Sequence, residues 1–126
     1  MATEPRKFSA GAALDWLESR FGGPLREEEI DAAPGTTSIQ AAPRDFERVS
    51  LTFVNLGTTT LFVRPGGLAT TASGFRLGSS GGLISLSILE DGLLPCLEWS
   101  VVGDAAGGDL YTLICRRESR TRNPQP

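Results

Sequence analysis

Residues 49–67 read VSLTFVNLGTTTLFVRPGG. Large apolar residues alternate with threonine and serine, the period of two that belongs to half-buried β-strands. Val49, Leu51 and Phe53 fall on one face, with Ser50 and Thr52 on the other. After Asn55-Leu56-Gly57-Thr58, Leu61 and Val63 share a face opposite Thr60, Phe62 and Arg64. The stretch predicts two short strands joined as a hairpin, with no histidine or acidic residue in it.

The same period continues toward the C-terminus. Phe75 and Leu77 are expected to point inward from a short strand, and Ile84, Leu86 and Ile88 to share a face in the next. Asp91-Gly92 marks a turn, and Leu97, Trp99 and Val101 align in the strand after it. Leu110–Arg117 gives a last strand with apolar residues on both faces, so its orientation is open. About six strands in roughly 70 residues, with closely spaced turns, predict a mainly β fold: a small antiparallel β-sandwich or jelly roll. Strands this close leave no room for crossover helices.

Upstream the pattern changes. A helix is predicted over AGAALDWLESRF, capped by Ser9 and stopped at Gly22-Gly23-Pro24. Ala10, Ala13, Leu14, Leu17 and Phe21 form its apolar stripe, with Trp16 beside it. A helix of this length is marginal alone, so the stripe needs a partner surface. Residues 24–47 carry Glu27, Glu28, Glu29, Pro34, Gly35 and Pro43 and read as an extended arm. The expected organisation is a helix and arm over 1–47, a β-sandwich domain over 48–118, and a flexible tail over 119–126.

Composition narrows the function. The 126-residue chain has a net charge of -3, which gives no broad basic field for nucleic acid. Its longest apolar runs fall short of a bilayer span, and the N-terminus lacks the apolar core of a secretory signal. There is no histidine, so the commonest general base is missing. Glu90-Asp91 sits in a turn signal and Glu98 is expected to face solvent, so neither suggests a catalytic acid pair. The GSSGG stretch has no lysine or following helix to make a phosphate loop. Cys96 and Cys115, both placed in strands, read as small apolar residues rather than metal ligands. No enzyme activity and no cofactor are expected. Arg116, Arg117, Arg120 and Arg122 form a basic cluster that reads as part of a solvated tail, with docking onto an acidic neighbour as the alternative.

The residues from Arg48 onward resemble a class of small bacteriophage virion proteins. The shared pattern is Asn55 with Gly57 and Thr58, then Gly66, Gly67, Ala69 and Thr70, then Gly74 and Leu77. A Gly-Gly turn, a strand bearing Trp99 and a last strand after Gly107-Gly108 complete it. The resemblance covers the β region and none of the helix or arm. It implies a structural part of a virion, made in the host cytoplasm. First in order is a capsid decoration or cement protein on the major capsid protein; a neck, tail or spike component is the alternative. The partners implied are other virion proteins and further copies of the chain, without nucleic acid or membrane. Ala10, Leu14, Leu17 and Phe21 are the candidate partner-binding residues. A carbohydrate-binding module is a separate reading, which needs Trp99 or Tyr111 exposed in a groove.

Overall fold

The computed structural model describes residues 10–118, and of Ala10, Gly11 and Leu14 only the backbone. The elements are α1 (Ala10–Phe21), β1 (Leu25–Ala32), β2 (Ile39–Ala42), β3 (Arg48–Asn55), β4 (Leu61–Pro65), β5 (Phe75–Leu77) and β6 (Leu83–Ser87). After these come α2 (Ile88–Asp91), a 3-10 turn (Leu94–Cys96), β7 (Trp99–Gly103) and β8 (Leu110–Arg117). Helix α1 has the bounds its sequence predicts. Gly22 takes a φ of 85°, and the N–H groups of Gly22 and Gly23 both bond the Glu18 carbonyl at 2.9 Å. The predicted Ser9 cap lies outside the described residues.

The strands pair from the middle of the chain outward: β4 with β5, β3 with β6, β2 with β7, β1 with β8, all antiparallel. Pairings of β3 with β8 and β4 with β7 join these into two four-stranded sheets, β1-β8-β3-β6 and β2-β7-β4-β5. The chain is therefore one long two-stranded ribbon folded over on itself, the eight-stranded jelly-roll form of a β-sandwich. Alternating residues fill the space between the sheets. Leu51, Phe53, Leu61, Val63, Trp99, Val101, Leu110 and Ile114 form one buried cluster. Phe53 and Trp99, both expected in the core, lie there with ring centroids 5.2 Å apart. The Trp99 Nε1–H donates to the Leu94 carbonyl at 2.9 Å.

Several expectations are corrected. Strands β3 and β4 do not form a hairpin, because they lie in opposite sheets. Period two reports which face is buried, and it is the same whether the next strand lies alongside or across the core. The crossing is held by the fully buried Asn55. Its Nδ2 donates to the carbonyls of Thr59 (2.7 Å) and Leu77 (3.0 Å), and its Oδ1 accepts the Gly57 N–H at 3.0 Å. The GSSGG turn is locked to the same corner: Ser80 N–H donates to Gly57 O at 2.8 Å and Gly81 N–H to Asn55 O at 2.7 Å. A Cβ on Gly82 would strike the Gly78 backbone, so this turn needs glycine there.

The expected arm over 24–47 contains β1 and β2, one in each sheet. Its acids are tolerated because β1 is an edge strand. Glu27, Glu29 and Asp31 point outward while Ile30 and Ala32 pack against the core. The β-sandwich therefore begins at β1 rather than at residue 48. Strand β6 stops at Ser87, so Ile88 does not continue its inward face but opens α2. Cys96 lies in the 3-10 turn rather than a strand. Phe75 is 42% exposed, although its ring reaches Trp99 at 6.0 Å. In β8, Leu110, Thr112 and Ile114 face the core and Tyr111, Leu113 and Cys115 face out. The predicted tail over 119–126 lies outside the described residues.

Candidate interaction surface

At one end of the sandwich, α1, the 44–47 turn, α2 and the 3-10 turn surround two adjoining grooves. One, of about 450 Å³, lies between Trp16, Ser19, Arg20 and Phe21 of α1 and Ile88 and Leu89 of α2. The other, of about 400 Å³, continues past Phe21 and Ile88 to Phe46, Val49 and Leu93. Trp16, Phe46, Leu89 and Leu93 are each more than half exposed. Large apolar side chains gathered at one end, outside the core, mark an interaction surface more often than scattered ones do.

Of the residues singled out in the helix, Leu17 is 37% exposed and Phe21 is half-buried at the junction of the grooves. The side chains of Ala10 and Leu14 lie outside the described part. Trp16, placed only beside the stripe in the sequence, is 57% exposed, with the Arg20 guanidinium 5.7 Å from its ring centroid. Phe46, Leu89 and Leu93 were missed altogether. For Phe46 and Leu93 the available signal was a large apolar residue inside the turn-like segments RDFER and EDGLLP, where no strand or helix period accounts for it; Leu89 breaks the period of two after Ile88.

The last turn of α1 is tied to the body. The Leu25 N–H donates to Glu18 Oε2 at 3.2 Å, and Arg117 Nη1 donates to the Phe21 carbonyl at 3.2 Å. Arg117 also pairs with Glu47 at 2.9 Å. Next to it Arg116 grips Asp45 through Nε (2.8 Å) and Nη2 (3.3 Å), a two-point contact. Burial alone would raise the Asp45 carboxyl. The Arg116 hydrogen bond, the Glu47 N–H and the charges of Arg116 and Arg48 outweigh it, and the group titrates below its ordinary value. Arg116 and Arg117 are thus engaged within the fold rather than part of a solvated tail; Arg120 and Arg122 lie outside the described residues.

Arg48 anchors the floor. It is almost wholly buried and donates to the carbonyls of Pro43 (2.7 Å), Pro95 (3.0 Å) and Leu97 (3.3 Å). These bonds hold the 43–47 turn and the 3-10 turn together, which fixes Phe46 and Leu93 on the same surface. Cys96 donates its Sγ–H to the Arg48 carbonyl at 3.1 Å, and burial pushes its thiol up. Burial, then the Glu27 charge, does the same to Cys115. Neither cysteine is in a disulfide.

This surface offers apolar contact and cations, with no carboxylate among the described residues that line either groove. Among the described residues, no group of three or more His, Cys, Asp or Glu side chains is placed to hold a metal. On the far side, a groove of about 240 Å³ between β2, β7 and the 66–68 turn holds one acid, Glu98, bonded to Gln40 at 2.8 Å. Trp99 is fully buried, which removes it as a sugar-stacking platform. Tyr111 is half-buried on the outer sheet face; desolvation, then its hydrogen bond to Glu29, raises its phenol. Among the described residues no helix is long and apolar enough to cross a membrane.

No protein-family model and no curated protein matches the chain. A chain in a solved structure described as "Bacillus endospore appendages form a novel family of disulfide-linked pili" is similar to it. The identity is 14%, the match covers 75% of this chain and 88% of that one, and the TM-score is 0.46.

Proposed function

We propose that this chain is a structural subunit that docks through its apolar end onto a neighbouring protein of a repeated particle. The specific form of the proposal is a bacteriophage virion component, first a capsid decoration or cement protein seated on the major capsid protein. A neck, tail or spike component would use the same surface. The observation that carries the docking role is the exposed group of Trp16, Phe46, Leu89 and Leu93 around two continuous grooves. Burying a large apolar side chain is worth about 1.5–3 kcal/mol. Covering the exposed part of all four would offset much of the cost of association. The virion assignment is supported by the resemblance of the β region, and the docking role is supported by the geometry of the end surface. No catalysis enters this reading.

Mass spectrometry of purified particles, with copy numbers, tests it. The chain is expected at a fixed ratio to the major capsid protein or, for the alternative, to a neck, tail or spike protein. Its absence from particles sinks the virion assignment. A Trp16→Ala/Leu93→Ala variant is expected to stay folded and lose particle occupancy. Full occupancy by that folded variant would remove the docking surface from the proposal.

A further inference from the structure

Four strands edge the two sheets, and they differ in what they offer a neighbour. Strand β1 is eight residues long but carries Glu27, Glu28, Glu29 and Asp31. Strand β2 has four residues and a register shift between Gln40 and Ala42. Strand β5 has three residues, one of them Arg76. Charge, shortness and irregularity are the usual guards against edge pairing. Strand β6, LISLS, has none of these features. It is five residues long, uncharged, and in unbroken register with β3 from Ser50↔Ser87 to Val54↔Leu83.

The hydrogen-bond phase says what its free side presents. Alternate residues of an antiparallel strand bond to a given neighbour. Asn55 N–H bonds Gly82 O at 2.8 Å, and Ser87 N–H is taken by Asp91 Oδ2 at 3.0 Å rather than by β3. The bonded pairs are therefore Leu51 with Leu86 and Phe53 with Ile84. The Thr52–Ser85 hydroxyl contact of 2.8 Å fits the closer side chains of a non-bonded pair. Leu83 and Ser85 accordingly turn their backbone N–H and C=O away from β3, whereas Ser87, the N-cap of α2, has both groups engaged.

We propose that β6 pairs with β6 of a second copy, antiparallel about a two-fold axis at Ser85. The phase makes this self-complementary. The two Ser85 residues exchange N–H···O=C bonds, and the pairing runs no further than Ser87, whose carbonyl takes the first bond of α2. The Asp91 cap on Ser87 N–H ends the pairing there. A second copy fits because an uncharged strand opposes itself without repulsion, whereas β1 against β1 would set acid beside acid. The register also brings each exposed Leu83 to the end of the other β6, next to α2 with its exposed Leu89. The product is one continuous eight-stranded sheet, β1-β8-β3-β6 joined to β6-β3-β8-β1. This pairing requires no virion, and it draws on the apolar end at Leu89.

Sedimentation velocity of the full chain at high micromolar concentration tests it. The expected mass is that of two 13.4 kDa chains. Ser85→Pro removes the outward N–H while sparing the β3 ladder, and Ser85→Lys sets two charges against each other across the axis. Both are expected to be monomeric. If Ser85→Pro fails to fold, Ser85→Lys decides, since its side chain stays on the exposed sheet face. Ser85→Cys is expected to link to itself on mild oxidation, while Ser79→Cys, in the exposed 78–82 turn, is not. A monomeric parent chain, or a dimer that survives Ser85→Lys, overturns the proposal.

Discussion

The two tryptophans make opposite use of the same side chain. Trp99 is fully buried between the sheets, its ring against Phe53 and its N–H bonded to Leu94 O. Trp16 stands on α1 with more than half its surface open and Arg20 over its face. Inside the sandwich the apolar demand is met by the chain itself. At the α1 end it is not, although Arg48 fixes that surface in place with bonds to three carbonyls. The contrast separates residues that make the fold from residues the fold displays.

The contrast can be broken most directly at Trp99. Trp99→Ala is expected to cost about 3–5 kcal/mol in chemical denaturation, the range for emptying a large core site. A loss no larger than that of Trp16→Ala would abolish the distinction between the two regions. Asn55→Ala tests the corner where the ribbon crosses between sheets. It leaves the Gly57 N–H and the Thr59 and Leu77 carbonyls without their partner, for an expected loss of about 1–3 kcal/mol. Equal stability to the parent chain would show that the corner does not depend on this side chain.

A smaller effect is expected from Asp45, beneath the apolar end. Its folded-state pKa lies below the unfolded value, so the unfolded chain takes up the proton first as pH falls. The stability it contributes is complete above the ordinary carboxylate range and is lost as pH drops through the folded-state value. Melting temperature should therefore fall below about pH 4, and less steeply in Asp45→Asn than in the parent chain. Parallel profiles would remove Asp45 from the account. The smallest effect belongs to Trp16→Ala, expected to stay within about 0.5 kcal/mol of the parent chain because the ring buries so little. A loss of several kcal/mol would place Trp16 in the folding unit rather than on display.

The sequence made some of this legible. Strands β3 and β4 were readable because inward and outward residues differ in kind: Leu51 and Phe53 against Ser50 and Thr52. The end of helix α1 was readable because Gly22 stops it by backbone geometry. Strand β1 was hidden because an edge strand needs few apolar residues; Ile30 and Ala32 suffice inward, and Glu27, Glu29 and Asp31 read as linker. Which strand pairs with which was hidden too, since burial period carries no partner information. Of the candidate surface, Leu17 and Phe21 were visible through helical spacing. Phe46 and Leu93 were not, because their positions depend on turns that Arg48 ties together from elsewhere in the chain, and Leu89 was not, because α2 interrupts the strand period there.

The ribbon-like pairing order also governs how the molecule comes together in time. The β4–β5 pair closes a short loop, whereas joining Leu25 to Arg117 closes nearly the whole folded chain. Each outer pairing is cheap only after the inner one has brought its ends close. Folding should thus zip outward from the β4–β5 pair, with β1 the last strand to seat, on the millisecond-to-second scale of proteins built from distant contacts. During that interval β8 is itself an open edge on its β1 side, exposing Leu113 and Cys115. The acids of β1 then have a kinetic role: they arrive last and set Glu27 and Glu29 beside the adhesive Cys115 and Leu113, turning that part of the border into a repelling one.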